Sequence, residues 1–496
     1  MRKYFAIFVL VVGFIFSITS CSSHETEEEY AYRDTNGRTM AAAPQQVEGA
    51  TVAAPTVTPI PSPPNRILAD IGYATVMMDG GSTFALTSEG ILWAWGSNAR
   101  GQLGIGTIYY THYPTPVMEN VQTVNPSWWQ TFAVCNNNIL WAWGYNLNRP
   151  LGDGTRVNRS EPYALMENVI SVYNMRGGNF VIDRYNTLWV LQRTGPVVFL
   201  KNVATMVYGY DIGFAITTNG ELWSWGSNTF GRLGDDSPIG LSRREPSFVM
   251  SNVIHVEAFL FSVFAITENG ELWAWGANEG EFGNGQLGDG TSERRNYPVR
   301  IMDNVASVHT ISPEERVFAL KTNGELWGWG VNRGGELGDG TMEFQSNPVP
   351  ILDNVVSFYV GDVSNFALRS DNTLWGWSRS WHLRERNPTQ IAENVVYFTR
   401  SSNTFFAIKE SGELYSWGNN SSGVLGDGTT ERRTHYERVR VMGDVVSIYL
   451  LHQDRHVFAI TANSVLWAWG ANQKVPVQIM CLLGTGRMLV PSDTNE

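Results

Sequence analysis

Five aspartates recur at one position of a glycine-rich phrase: Asp153, Asp235, Asp289, Asp339 and Asp427, each in a variant of Leu-Gly-Asp-Gly-Thr. Clustered carboxylates could bind calcium, but that chemistry needs several oxygens from one loop at D-x-[DN]-x-[DN]-G spacing. Each phrase offers one, and Asp before Gly is turn chemistry first, the carboxylate bonding nearby backbone amides. No metal is expected. Gly283-Asn284-Gly285-Gln286-Leu287-Gly288 has the spacing of a dinucleotide fingerprint without its strand–turn–helix setting, so no cofactor is expected either. The eight histidines show no H-E-x-x-H or paired metal spacing, and neither G-x-S-x-G nor S-x-x-K occurs. No catalytic residue is assigned. Carboxylates brought together only by folding stay open, which keeps an envelope hydrolase with an axial site as the alternative.

The chemistry of recognition is better represented. Tyr109, Tyr110, His112 and Tyr113 load one loop with aromatics, and Trp381, His382, Arg384 and Arg386 make a basic aromatic loop. Tyr, Trp and Arg dominate interface hot spots, and both stretches break an otherwise regular pattern. They are the partner-binding candidates, the partner being a protein or a glycan. Trp128-Trp129 also interrupts its unit and is read as local packing. The pairs Arg243-Arg244, Arg294-Arg295 and Arg432-Arg433 share a repeat position and are read as scaffold.

These residues sit in a repeat. Its fullest copy runs Thr267-Glu268-Asn269-Gly270-Glu271-Leu272-Trp273-Ala274-Trp275-Gly276. Asn-Gly between two apolar runs is a strong hairpin signal. Period-two geometry puts Trp273 and Trp275 on one face, Leu272 and Ala274 on the other. Neither face is polar, so the strand must be covered on both sides. An aromatic recurs at Trp93, Trp141, Trp189, Trp223, Trp273, Trp327, Trp375, Tyr415 and Trp467. Periods of this order mark repeat architectures. Each unit holds four short strands, as in a propeller blade, and no segment keeps a helical period. The count is nine four-stranded units in an all-β propeller, with seven or eight blades plus a partial unit as the alternative. The unit after Trp189 lacks the glycine loop, and the one after Trp375 replaces it. Large indoles on one blade face are expected to meet small residues on the next.

The 496-residue chain has a net charge of −12, which argues against nucleic acid and against electrostatic adhesion to anionic lipid. Arg2 and Lys3 precede an apolar run from Phe5 to Phe16, too short to span a bilayer and of signal-peptide length. Ile18-Thr19-Ser20-Cys21 resembles a lipobox, so residues 1–21 are expected to be a lipoprotein signal with lipid attached at Cys21. Residues 22–65 are Pro-, Ala- and Thr-rich, which predicts a disordered tether. The propeller is expected over 66–480 and a tail over 481–496. Cys135 and Cys481 are expected to be free or buried thiols, because a bridge between them would have to reach across a blade.

Gly-Glu-Leu-Trp-x-Trp-Gly-x-Asn and Gly-x-Leu-Gly-Asp-Gly-Thr resemble the regulator of chromosome condensation repeat over about residues 67–480. The resemblance implies a β-propeller, most members having seven blades. It also implies exchange activity on a GTPase, which an export signal opposes; in location, a secreted β-lactamase inhibitory propeller is the nearer analogue. Fold does not carry function. The expectation is an exported, monomeric bacterial lipoprotein in the cell envelope. It touches the membrane only through Cys21 and presents the propeller as a non-catalytic platform.

Overall fold

The computed structural model describes residues 73–481 except 80, 88, 128, 148–150, 176–177, 210, 260, 280–284, 312–315, 362–363, 379–385, 402, 435–436, 452–455, 464 and 471–472. The signal and lipobox (1–21), the tether (22–65), the tail beyond 481, and Trp381, His382 and Arg384 lie outside the described residues. Nine four-stranded antiparallel sheets, each made of four consecutive strands, occupy 73–118, 121–166, 169–200, 203–250, 253–302, 305–352, 355–392, 395–442 and 445–481. These are blades 1 to 9. The last strand, Gln473–Cys481, includes Cys481, which pairs with Val465, so the sheet rather than a tail claims that residue.

Blade 5 shows why the sequence folds this way. Its strands are Val253–Ala258, Ser262–Thr267, Leu272–Gly276 and Arg295–Met302. The second and third are joined at Asn269-Gly270, with Gly270 at φ 76°. Asn252 at φ 62° turns the chain from blade 4 into blade 5, and Asn120, Asn168, Asn202, Asn304, Asn354 and Asn394 do the same at their joints. Asparagine tolerates this left-handed region better than most side chains. In blade 3 only Arg193-Thr194 separates the third strand, Leu188–Gln192, from the fourth, Gly195–Leu200, in agreement with the missing loop. Antiparallel order puts the links between first and second strands, and all the glycine loops, at one end of the blades. The tight turns lie at the other. First strands of neighbouring blades touch at more joints than fourth strands do, which sets them on the axial side.

The blade joints are indole joints. Trp275 is fully buried and packs on Ile212, Phe214, Ile216 and Leu222 of blade 4. Trp329 packs on Phe264, Leu272 and Ala274, and Trp377 on Phe318 and Leu326. Edge-on or tilted Phe–Trp pairs at 6.1, 6.3 and 6.2 Å mark these three joints, a geometry favoured by the ring quadrupoles. The indoles do meet the neighbouring blade as expected, but on a face of Phe, Ile and Leu in which Ala274 is the small residue, so the expected large-on-small alternation is only partly present. The expectation that both tryptophans of a strand are covered is met in blade 2, by Trp141 and Trp143, but not in blades 5, 6 and 7. Trp273, Trp327 and Trp375 are half-buried, because each sits near the turn end with its indole N–H reaching the rim residue two places earlier. Trp273 donates to Glu271 at 3.3 Å, Trp327 to Glu325 at 3.1 Å and Trp375 to Thr373 at 2.8 Å.

Candidate functional site

The glycine loops carry the recurrent aspartates, and a buried asparagine organises each. Asn420, wholly buried, donates through Nδ2 to Asp427 Oδ1 at 3.1 Å and accepts the Leu425 N–H at 2.9 Å. Asn146, Asn278 and Asn332 make the same pair of bonds to Asp153 and Leu151, Asp289 and Leu287, Asp339 and Leu337. The second carboxylate oxygen takes a cation: Arg159 on Asp153 at 2.7 Å, Arg295 on Asp289 at 2.8 Å, Arg433 on Asp427 at 3.1 Å. Arg243 lies 2.7 Å from Asp235 as an ion pair out of line for a hydrogen bond. The scaffold reading of these arginines holds, although the gripping residue is the first of its pair at Arg243 and the second at Arg295 and Arg433. Burial alone would raise the carboxyl pKa of Asp153, Asp289 and Asp427. The surrounding amide, hydroxyl and guanidinium donors outweigh it and hold all three below the usual range. Their oxygens serve the loop itself.

Where the next blade carries a second tryptophan, the loop is also tied to it; against the loop of blade 2 stands Leu191 of blade 3 instead of an indole. The indole N–H of Trp143 donates to the Gln102 carbonyl at 2.9 Å, that of Trp275 to Arg232 at 2.8 Å, that of Trp329 to Gln286 at 2.9 Å, and that of Trp469 to Val424 at 2.8 Å. Glycine is required beneath the indole: a Cβ on Gly288 would lie 2.7 Å from Trp329 Nε1. At Trp225, where blade 3 has no loop, Phe199 and Phe180 stand against the indole at 4.9 and 5.8 Å. The loop end is therefore a rigid platform, and side chains that leave it are presented rather than packed.

Tyr109 and Tyr110 do leave it, 76% and 59% exposed, with Ile108 beside them at 56%. Their backbone is fixed from below, since Asn98 Nδ2 donates to the carbonyls of Thr107 at 2.8 Å and Tyr109 at 3.2 Å. His112 and Tyr113 are not loop residues. They lie in strand Thr111–Met118, where Gly96 pairs with Thr111 and the ladder has resumed. Arg386 is exposed, but its backbone carbonyl accepts the Gly340 N–H at 3.1 Å, so its main chain belongs to the blade 6 to blade 7 tie. Tyr109 and Tyr110 belong to blade 1, and Arg386, the one described member of the second stretch, to blade 7.

Sequence reasoning missed a second exposed aromatic group, on blade 2. Trp129, 43% exposed, meets Tyr145 edge-on at 5.5 Å, and the Arg100 guanidinium from blade 1 lies 5.4 Å from the Tyr145 ring. Leu147 and Val157 of the same blade are 45% and 63% exposed. The signal was the doubled tryptophan at 128–129; its neighbours come from loops that only folding joins. On the axial side, Glu257 lies 4.0 Å from His255 and 3.9 Å from His309 across the blade 5 to blade 6 joint. All three are part-exposed, at distances too long for direct hydrogen bonds. Among the described residues no group of three or more His, Cys, Asp or Glu is placed to hold a metal, and no helix is long and apolar enough to cross a membrane. Cys135 is a free, buried thiol.

The model of the regulator of chromosome condensation repeat matches residues 89–134, 219–258, 269–312 and 411–448, and a second model of this repeat matches 203–232. No curated protein sequence matches the chain significantly. Among solved structures, Prp20p from Saccharomyces cerevisiae, studied with its binding to Gsp1p and histones, is 18% identical with a TM-score of 0.40. That match covers 58% of this chain and 80% of Prp20p. Human WBSCR16 is 18% identical over 72% of this chain and 96% of its own, with a TM-score of 0.42. BamB from Moraxella catarrhalis is 11% identical over 70% and 92%, with a TM-score of 0.35. Scores this low carry no residue role across. The repeat matches and the nine sheets agree, and the chain is a nine-bladed β-propeller that carries regulator of chromosome condensation repeats in the matched segments.

Proposed function

We propose that this propeller is a non-catalytic binding platform for a protein partner, engaged through the loop end of blades 1 and 2. The observation that carries this is the exposure of Tyr109 and Tyr110 above a loop whose backbone is pinned by Asn98. Rigid, exposed aromatics lose little conformational entropy on binding and supply large contact area. Trp129, Tyr145 and Arg100 extend the surface, and the combination of Tyr, Trp and Arg suits a hot spot. The loop carboxylates, by contrast, are consumed by their own scaffold, which favours binding over hydrolysis. Export belongs to the same proposal: Arg2, Lys3, the apolar run 5–16 and Ile18-Thr19-Ser20-Cys21 support a lipid anchor at Cys21 and a propeller outside the cytoplasm.

The test uses the full chain in its native envelope with a photo-crosslinking residue at position 109, and at Tyr185 on the turn end as control. Tyr185 is 67% exposed, so accessibility alone cannot separate the two sites. A protein adduct from position 109 only, with partner affinity weakened about tenfold or more by Tyr109→Ala and Tyr110→Ala, is expected. Equal adducts from both positions, or unchanged affinity in the variants, would count against the proposal. Loss of incorporated lipid in Cys21→Ala tests the anchor separately.

A further inference from the structure

The first strands of blades 7, 8 and 9 are Val355–Tyr359, Val395–Ser401 and Val445–Leu451. Each carries one extra residue near its start. In blade 8 Val395 pairs with Lys409 and Tyr397 with Ile408, so the ladder skips Val396; it skips Val356 and Val446 in the same way. A bulge of this kind re-aims the side chain of its extra residue. Val355, Val395 and Val445 are buried, whereas Val356, Val396 and Val446 are 55%, 47% and 60% exposed. The equivalent residues of the other blades are Ala74, Gln122, Ile170, Ala204, Ile254 and Ala306. Only blades 7 to 9 therefore set three branched aliphatics in succession. Tyr397 and Tyr449, both exposed, lie one and three places beyond the bulges of blades 8 and 9, whose first strands touch. First strands are axial and start at the turn end, so these five side chains form an apolar arc at the turn-end side of the axis. Single exposed apolar residues need no explanation, but a patch on adjoining strands marks a docking surface.

We propose that a segment of the same chain, Arg487-Met488-Leu489-Val490, docks on this arc. Reach is the first reason. The last strand ends at Cys481, paired with Val465 at the turn end of blade 9. Val446 lies at the same end of that sheet, on the strand three spacings inward, roughly 14 Å away. Arg487 is six residues beyond Cys481, with Gly484 and Gly486 between them, and six extended residues span up to about 20 Å. Met488, Leu489 and Val490 can therefore lie over Val446 and Val396. Charge is the second reason. Asp353, Glu393 and Asp444 stand at the joints that lead into the three valine strands, and among the described residues none of them is paired with a cation. Asp303, at the joint into blade 6, is paired with Arg300. Arg487 is the one cation of the chain after Lys474. A cation followed at once by three apolar residues matches an apolar arc with an acidic rim.

The test places a photo-crosslinking residue at position 396 of the full chain and locates the adduct by peptide mapping. An adduct to residues 487–490 of the same chain, at the mass of a monomer, is expected. The same probe at Ile254, 60% exposed at the equivalent place of blade 5, controls for accessibility and is expected to give none. Leu489→Asp and Arg487→Glu should each lower the yield at least about fivefold. Asp444→Asn, whose side chain tolerates the φ of 57° there, should lower it less, because Glu393 remains. An adduct to a second copy, to another protein or to any other segment would overturn the proposal. So would no adduct, equal adducts from 396 and 254, or yields unchanged in both tail variants. The arc lies at the turn end, so none of these results bears on the loop-end surface of blades 1 and 2.

Discussion

Asn420 is the most informative residue to perturb, because one buried amide holds a whole loop. It is 0% exposed. Its Nδ2 donates to Asp427 at 3.1 Å and to the Thr429 carbonyl at 3.1 Å, and its Oδ1 accepts the Leu425 N–H at 2.9 Å. Asn420→Ala removes a bond to a charged group, about 1.5–3 kcal/mol, and strands a buried N–H, about 1–3 kcal/mol. The expected loss of local stability is about 3–5 kcal/mol, so amide exchange over residues 419–434 should accelerate by about two to four orders of magnitude. Asn420→Asp keeps the acceptor for Leu425 but sets a second carboxylate against Asp427. At about 3 Å and an effective dielectric near 20 the repulsion is on the order of 5 kcal/mol, and it is relieved when the pair takes up a proton. The pH signs are therefore opposite. Native Asp427 is held below its usual pKa: burial raises it, but hydrogen bonds from Thr429, Arg433 and Asn420 prevail. Its contribution is complete above the unfolded value and is lost as pH falls through the folded one. Asn420→Asp should instead recover stability as pH falls from 7 towards 4. Native exchange rates in Asn420→Ala, or an Asn420→Asp variant that only loses stability on acidification, would refute the reasoning.

Three further outcomes follow from the same geometry. The melting temperature of the native chain should hold down to about pH 4 and fall below it, as the depressed carboxylates Asp153, Asp289 and Asp427 take up protons; a scan from pH 7 to 2.5 reads this. Gly426→Ala should cost about 1–3 kcal/mol more in denaturant unfolding than Gly428→Ala. Both glycines have positive φ, but a Cβ on Gly426 would lie 2.9 Å from Trp469 Nε1 and Val441 Cγ1, while on Gly428 the nearest atom is 3.6 Å away. Burial pushes the Cys135 thiol up to about 11, with only partial offset from Trp141, so a thiol reagent at pH 8, followed by peptide mapping, should modify Cys135 only after denaturation.

The hairpins were legible because Asn-Gly turns and paired tryptophans are local signals, and the unit count was legible because they recur. The loop deletion in blade 3 showed as a shortened interval and appears as the Arg193-Thr194 turn. The asparagine staple was written just as openly, since Asn98, Asn146, Asn228, Asn278, Asn332 and Asn420 all stand two places after a Trp-Gly pair. Its partners keep a spacing too, the leucine five places on at Asn98, Asn146, Asn228, Asn332 and Asn420, and nine only after Asn278; what no local pattern shows is that the asparagine side chain is the buried one. His112 and Tyr113 were assigned to a loop because aromatic content marks both strands and recognition loops; the ladder from Gly96 to Thr111 decided between them. The meeting of Arg100 with Tyr145, and of Glu257 with His309, depends on the register between blades, which no local pattern encodes.

The joints also explain where the chain can vary. Eight apolar clusters among the described residues bridge the eight successive blade pairs, and the glycine loops of blades 1, 4, 5, 6 and 8 each add a carbonyl for the next indole and a seat beneath it. Removing a loop removes both, and blade 3 compensates with Phe199 against Trp225. Blade 9 also lacks the loop, since its third strand ends at Gly470 and its fourth begins at Gln473. The two faces at the chain ends show the consequence. Trp95 and Phe458 are half-buried, whereas their counterparts Trp143 and Phe406 are 0% and 1% exposed. Locks recur at most interior joints, blade 3 being an interior exception, and the half-buried faces lie on blades 1 and 9.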